Sequence, residues 1–493
     1  MIGSTLYRLL KKTGLSFVPA GLISFAIMIP YCIMIGSAVA ALRAVIMFIL
    51  FLGSNMKGRT YDFLTSVSLA GLLILIENPL YLWDASFLLS FGAIFAIGCV
   101  FPCFKKIHAC QTLWLGISVW IILFPIQLWF FYEMSPFSTL LNFIVIPLMP
   151  CLVGCGFLGL LTDLHSFFKI CHIILAFYES ILVFPSYMIG KPKMISLVVY
   201  GVIIVCFCLL IQSKKYGFSA VCMLFGILVL LIPPAHGFRI TFLDVGQGDC
   251  IVVESPSGHH YMIDGGSSDV SKVAKYRILP YLKSQGIPKL DYVVITHFDE
   301  DHDNGILEML ESGYRIDHLI VYQNTDQSDE DFLLLQKETE KQNIPILFFS
   351  RNDFLKDQEL SFKCLFPEKD YTAEKNQQSL VFWLQYRGFS CLLTGDLEKE
   401  GEDDLCDFWL PKVNLLKAGH HGSKDASSEM LLSKTTPQYA VISCGQDNRY
   451  GHPNPETLKR LEKENITIFQ TPKCGAIWAR EVRGTIAIGC YKK

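Results

Sequence analysis

Six consecutive residues, His297-Phe298-Asp299-Glu300-Asp301-His302, place four metal-donor side chains together: His297, Asp299, Asp301 and His302. Imidazole and carboxylate in combination suit Zn²⁺, Mn²⁺ or Fe²⁺. On extended backbone, alternate side chains share a face. His297, Asp299 and Asp301 can then point the same way, with His302 following at a turn. A polar loop capping a helix through Asp303 or Asn304 accounts for one acidic residue, but not for four donors. Four other segments carry matching chemistry. Leu393-Thr394-Gly395-Asp396 ends an apolar stretch on a carboxylate that can bridge two ions. Lys417-Ala418-Gly419-His420-His421-Gly422-Ser423 sets two adjacent histidines between glycines, read as a ligand plus a supporting residue. Asp244-Val245-Gly246-Gln247-Gly248-Asp249 and Asp264-Gly265-Gly266 are Gly-Asp turns, for which hairpin geometry is an alternative account.

These segments need strands to end on them. Ile240–Val245, Cys250–Glu254 and Tyr261–Ile263 read as strands joined by glycine turns. Lys272–Gln285 reads as a helix. The β-branched run Tyr292–Thr296 leads into the His/Asp cluster, and a helix follows at Ile306–Leu310. Further strands are predicted at His318–Tyr322, Ile344–Phe349, Leu360–Leu365, Ser379–Tyr386, Ser390–Leu393, Val413–Leu416, Tyr439–Ser443, Ile466–Gln470 and Gly484–Ile488. Helices are predicted at Asp329–Lys341, Lys399–Phe408, Ser427–Lys434 and Pro455–Glu464. Strands alternating with helices in this way predict two sheets sandwiched between helices, an αββα arrangement.

Upstream the chain is of another kind. Residues 1–237 hold 13 basic and 6 acidic residues in long apolar runs, leaving 29 basic and 39 acidic residues in 238–493. The halves are thus net +7 and −10, and the boundary falls near Pro233-Pro234. A spanning helix needs about 20 apolar residues. Nine candidate spans are read at 15–35, 38–53, 63–82, 85–102, 112–131, 137–161, 170–190, 195–211 and 218–234. Arg43 lies inside the second, facing either a polar cavity or the headgroups. Asn142, Pro147 and Pro150 interrupt the sixth, lining a pathway or merely kinking the helix. Threading puts Arg8, Lys11, Lys12, Lys57, Arg59, Lys105, Lys106, Lys169, Lys214 and Lys215 on one side, and Lys191 and Lys193 on the other. The basic excess marks the first side as cytoplasmic. Nine spans then carry 238–493 outside. The seven cysteines of the second half are scattered, with no Cys-x-x-Cys, and read as buried thiols rather than as a disulfide or zinc framework. A net charge of −10 argues mildly against a nucleic-acid surface there, though Lys272, Lys275, Lys283, Lys412 and Lys417 could still form a local basic face.

The metal segments, in this order, resemble the metallo-β-lactamase superfamily. A wider set is similar to the ComEC family of competence membrane channels. It comprises Phe242-Leu243-Asp244-Val245-Gly246-Gln247-Gly248-Asp249, the His-x-Asp-x-Asp-His run, Leu392-Leu393-Thr394-Gly395-Asp396, Gly-His-His-Gly-Ser and Asn448-Arg449-Tyr450-Gly451-His452-Pro453. In the first half, Leu42-Arg43-Ala44, Ser86-Phe87-Leu88-Leu89-Ser90-Phe91 and Asn142 with Pro147 are similar to that family's competence region. The resemblance implies a multi-pass membrane domain at 1–237 and a metallo-β-lactamase-like hydrolase domain at 238–493. It implies DNA uptake, with a metal-dependent hydrolase acting on the incoming DNA. One or two Zn²⁺ or Mn²⁺ ions would be the cofactor. Membrane lipids, a DNA strand, other competence proteins and a second copy of the chain are the implied partners. It also implies further spans and a small β-domain ahead of Met1.

On this reading His297, Asp299 and one of His420 and His421 hold one ion. Asp301 and His302 hold a second, with Asp396 bridging. Asp301, His302 and Asp396 are the expected catalytic residues; Asp244, Gln247, Asp249, Asp264, Lys417 and Asn376 support them. Asn376 and Ser379 stand where many enzymes of this fold have another ligand histidine. Lys417 reads as a surface lysine, with phosphate contact as its alternative role. The rival readings are a membrane-tethered small-molecule metallohydrolase and an inactive piece of a DNA channel.

Overall fold

The computed structural model describes residues 2–34, 36, 38–104, 111–181, 186–232 and 237–492. Lys105, Lys106 and the Pro233-Pro234 boundary lie outside them. The chain divides into two compact units, Met1–Pro234 and Ala235–Lys493.

The first unit is helical. Among the described residues, six helices are long and apolar enough to cross a membrane: Phe17–Met34, Val39–Met56, Ala85–Phe104, Gln111–Phe131, Ile144–Thr162 and Met194–Gln212. Two more, Phe63–Glu77 and Tyr216–Leu230, are apolar but have 15 residues each. The nine expected spans therefore differ in kind. The segment at 63–82 breaks because Asn78 is extended and its side chain accepts from Leu80 N, starting a separate 3₁₀ turn at Pro79–Trp83. The segment at 170–190 is instead the helix His165–Ile181, followed by the short strand Tyr187–Met188. That strand pairs antiparallel with Glu133–Met134. Arg43 sits between helices: its Nη1 donates to Ser90 O at 2.7 Å, and its Nε is buried without a partner.

The second unit contains an eight-stranded and a seven-stranded sheet. Strands His260–Ile263, Tyr292–Val294, Leu319–Tyr322 and Ile346–Phe349 run parallel in the first. Phe389–Leu393, Leu415–Lys417, Tyr439–Ile442 and Thr467–Gln470 run parallel in the second. Parallel strands buried on both faces require apolar residues at successive positions. Val293-Val294-Ile295 and Cys391-Leu392-Leu393 meet that demand, all being buried. Facing sides of the two sheets form one core, in which Phe242, Ile263, Val294 and Ile320 meet Phe362, Phe382, Leu393 and Val441. On the outer face of the seven-stranded sheet, Leu405, Leu431 and Leu461 of three helices pack against Leu392, Leu416 and Ile442. Helix Glu300–Glu311 buries Ile306, Met309 and Leu310, completing the αββα layering.

Two strands of the main sheets escaped the sequence reading, Phe354–Asp357 at the edge of the seven-stranded sheet and Ile477–Val482 in the eight-stranded one. Ile477–Val482 joins Arg239–Phe242 to Thr485–Cys490. Its Arg480 and Glu481 interrupt the apolar pattern because this end of the strand is partly solvent-facing. All seven cysteines of the unit are free, five of them buried.

Parallel sheets put all their strand-to-helix turns at one edge, where ligands collect. The ends of Tyr292–Val294, Phe389–Leu393 and Leu415–Lys417 lead directly to His297, Asp396 and His420-His421.

Candidate metal centre

The His/Asp run is half loop and half helix. Asp299 is extended and takes the N-cap position of helix Glu300–Glu311, so Asp301 and His302 project from its first turn. The expected stretch of extended chain therefore stops at Asp299. The acidic first turn suits the positive end of the helix dipole.

The glycine turns let this helix start approach. A Cβ on Gly266 would collide with the backbone nitrogen of His302. Gly248, at φ +149°, lies against the carbonyls of Gly266 and Asp301. Asp249 N donates to Asp301 O at 3.1 Å, and Gly265 N to His302 O at 2.8 Å. These turns thus dock two loops onto the helix N-terminus, a role beyond hairpin geometry.

Asp249, His302, Asp396 and His421 form a buried cluster in which one donor atom of each lies within 4.8 Å of all the others. His302 Nε2 is 3.2 Å from Asp396 Oδ2, and His421 Nε2 is 3.2 Å from the same oxygen. Asp301 Oδ2 closes the group at 3.3 Å from His421 Nε2. Donors bound tetrahedrally at about 2.0–2.1 Å lie about 3.4 Å apart, so these spacings match a single ion's coordination shell.

Each imidazole has its Nδ1 fixed by a neighbour. His302 Nδ1 faces Asp264 Oδ2 at 3.0 Å, and Asp264 also accepts from Thr296 N and Oγ1 at 2.8 and 2.9 Å. His421 Nδ1 donates to Ser443 O at 3.0 Å. His297 Nδ1 lies 3.1 Å from Thr296 Oγ1 and 3.4 Å from Ser379 Oγ. In each ring Nδ1 has a partner, whereas Nε2 of His297, His302 and His421 is buried with no hydrogen bond. A buried nitrogen without a partner costs about 1–3 kcal/mol. Tying one ring nitrogen so that the other presents its lone pair is the arrangement of metal-ligating histidines. The residues fit a divalent ion.

The electrostatics agree. Burial disfavours the Asp301 charge, but the His421 and His302 imidazoles outweigh it and hold its pKa down to about 2. Burial likewise opposes ionisation of Asp396, yet His421, His302 and Lys417 drive it well below the carboxylate range. Burial lowers the pKa of His421, while Asp396 and Asp249 raise it further, to about 9. The carboxylates therefore demand positive charge, which protons or a metal can supply.

The remaining predicted residues fall around this cluster. His297 Nε2 is 3.5 Å from Asp299 Oδ2, and the Asp299 side chain is 40% exposed. These two form a more open pair beside the cluster. His420 differs from its neighbour: Nδ1 meets Glu398 Oε1 at 2.7 Å and Nε2 stays 3.8 Å from Asp396 Oδ2. His421 thus groups with Asp301 and His302 rather than with His297 and Asp299. Ser379, not Asn376, reaches the site from its stretch: its Oγ accepts from Asp396 N at 3.1 Å. Gln247 ties its loop to Gly445 N at 3.1 Å, and Asp244 lines a separate groove with Arg277 and Tyr491. Lys417 corrects its surface reading, being fully buried against Asp249 and Asp396. It ends a central strand, so its side chain has no route to solvent.

Residues 1–214 match the family described as "Competence protein", and residues 243–446 match the metallo-beta-lactamase superfamily. The first half of the chain thus matches the competence-protein family and the second half the metallo-β-lactamase superfamily. "ComE operon protein 3" of Bacillus subtilis is 28% identical over 96% of this chain and 65% of its own length. "Recombination protein 2" of Haemophilus influenzae is 29% identical over 54% of this chain and 32% of its own. The chain therefore spans under two thirds of the length of these relatives. The metallo-beta-lactamase fold protein YhfI of Bacillus subtilis aligns with 51% of the chain and all of its own, at 14% identity and a TM-score of 0.34.

Sequence reading of the metallo-β-lactamase domain missed Glu398 and the site position of His452. The His452 ring lies 5.5 Å from that of His420, and burial with the neighbouring His420 and His421 lowers its pKa to about 4. Its signal was the Asn-Arg-Tyr-Gly-His-Pro segment. Glu398, in a run of acidic residues, had none.

Proposed function

We propose that this chain acts in DNA uptake across the cell membrane, and that residues 238–493 form a metal-dependent phosphodiesterase acting on the incoming DNA. The observation that carries the hydrolase reading is the set of buried, unpartnered Nε2 atoms of His302 and His421 converging on Asp301 and Asp396. Asp301, His302, Asp396 and His421 would hold the principal ion, and His297 with Asp299 would offer a second, weaker position. A bound Zn²⁺ or Mn²⁺ supplies Lewis acidity and a water of lowered pKa. Asp264, Thr296 and the Ser443 carbonyl keep the rings oriented. Ser379 holds the turn at Asp396, while His420, steadied by Glu398, stands at the more exposed side of the cluster.

Residues 1–237 would form the membrane domain, with 238–493 outside the cytoplasm. The pairing of Glu133 with Met188 supports this placement. It brings the end of Gln111–Phe131 and the chain after His165–Ile181 to one end of the bundle, so the intervening helices run out and back. Lys191, whose Nζ lies 4.2 Å from the Trp129 ring centroid, belongs to the same end. That alternation preserves the parity deduced from loop charge. Protease added to intact cells tests it, and a fully protected C-terminal half refutes it.

Purified full-length chain in detergent, supplied with Mn²⁺ or Zn²⁺, is expected to degrade DNA. The Asp301→Ala/His302→Ala variant should lose this activity, and unchanged activity in that variant defeats the assignment. The net charge of −10 in 238–493 favours a second reading, a hydrolase of small esters, because phosphate backbones seek basic surfaces. Turnover of a lactone or small phosphodiester with DNA left intact would select it.

A further inference from the structure

Lys417 is the largest charged side chain fully enclosed in the second unit. Its ammonium contacts Asp249 Oδ2, donates to Gly395 O at 2.8 Å and lies 3.3 Å from Asp396 Oδ1. The two oxygens of Asp396 are thereby divided. Oδ1 faces the lysine, and Oδ2 faces His302, His421 and, at 3.8 Å, His420. Apart from Lys417, the Asp249 carboxylate has no close donor among the described residues, and its other oxygen is 3.8 Å from His421 Nδ1, which is already committed to Ser443 O. Lys417 is therefore the cation nearest the Asp249 carboxylate, although distance places Asp249 among the possible metal donors.

Resting on the reading of this cluster as a metal site, we infer that Lys417 is a built-in cation that takes the place of an additional metal ion. It withholds Asp249 from metal coordination and leaves Asp396 a single oxygen for it. A lysine ammonium and a divalent ion compete for the same carboxylate oxygens. The ammonium here arrives with the fold, at the end of strand Leu415–Lys417, and needs no uptake from solution. It neutralises part of a buried group of carboxylates that would otherwise repel one another in the metal-free chain. Removing one partner of such a buried pair strands the other's charge. The metal count of the site is then set by a residue that binds no metal.

The test counts Mn²⁺ equivalents on the full-length chain in detergent by elemental analysis after gel filtration, alongside thermal melting of the metal-free chain. Asp249→Asn should keep the wild-type metal count, because Asp249 is not a ligand. Lys417→Ala opens space beside Asp249, Asp396 and the Gly395 carbonyl and should bind one further equivalent of Mn²⁺. Lys417→Met fills the space without charge. It should bind no extra ion and melt roughly 10 °C lower when metal-free. Combining it with Asp249→Asn should recover most of that loss, which keeps the test decisive if the single variant is poorly folded. A lower metal count in Asp249→Asn overturns the inference, as does an unchanged count in folded Lys417→Ala. A failed metal-site reading gives a different result: wild type and Asp301→Ala/His302→Ala carry the same metal, and Lys417 is then only a structural ion pair.

Discussion

Asp264→Asn isolates the orientation of His302 from its identity. Asp264 is buried, as is the ring it faces. Its Oδ2 lies 3.0 Å from His302 Nδ1 and accepts from Thr296 Oγ1 at 2.9 Å, while Oδ1 accepts from Thr296 N at 2.8 Å. The carboxylate has only acceptor oxygens, so it selects the ring form with hydrogen on Nδ1 and the lone pair on Nε2. Asparagine keeps the shape and the bond to Thr296 N. Its amide nitrogen then stands opposite Nδ1 as a donor. The ring must turn over its proton to Nε2 or leave two donors facing each other. A protonated Nε2 cannot bind a metal. Loss of such a supporting partner lowers metal affinity about 10–100-fold, equivalent to about 1.4–2.7 kcal/mol. Competition with a chelator of known affinity, at fixed pH, measures the change on full-length chain, and circular dichroism checks the fold. Asp244→Asn, in a separate groove, is the control with unaltered affinity. Affinity within threefold of wild type in Asp264→Asn, with its fold intact, would refute the argument that this carboxylate fixes the ligand tautomer.

Three further outcomes follow from the same geometry. His297→Ala should leave the tight ion in place and remove only weaker binding, seen as the loss of the second phase in a metal titration; loss of all metal would mean that His297 belongs to the principal set. Gly266→Ala drives a Cβ into the His302 backbone nitrogen. Overpacking of this kind costs about 1–3 kcal/mol, so the second unit should melt roughly 2–12 °C lower, and an unchanged melting profile would show that the helix start is not held tightly. Glu402 is fully buried and accepts from Ser427 N and Ser428 N at 2.6 and 2.7 Å. Burial nonetheless raises its pKa above the ordinary glutamate value. The folded chain then holds this proton more tightly than the unfolded one. Its contribution is present below the unfolded pKa of about 4.3 and declines as pH rises through the folded value. Wild type should therefore lose stability relative to Glu402→Gln across that interval in pH-dependent melting, and a gap that widens in favour of wild type would reverse the sign.

Much of this protein was written locally. Hydropathy separated the helical half from the patterned half, because a run of about 20 apolar residues is a one-dimensional property. The donors at 297–302 and the turns at Asp249, Asp264 and Asp396 were visible because loops at strand ends carry their chemistry in short segments. The αββα layering followed from strands and helices alternating, although Ile477–Val482 was hidden by its own charged, partly exposed end. What a linear reading could not decide was direction. His420 and His421 are neighbours of the same type, each with positive φ, and only the packed turn sends one ring inward and leaves the other beside Glu398. Lysine at the end of a strand resembles any surface lysine until Asp249 and Asp396, from segments far apart in sequence, close around it. The run His297–His302 determined the kind of chemistry, since donor type belongs to the residue. Which donors come within reach of one another was decided by the tertiary structure, since that depends on angstrom-scale distances between loops that only the folded sheets bring together.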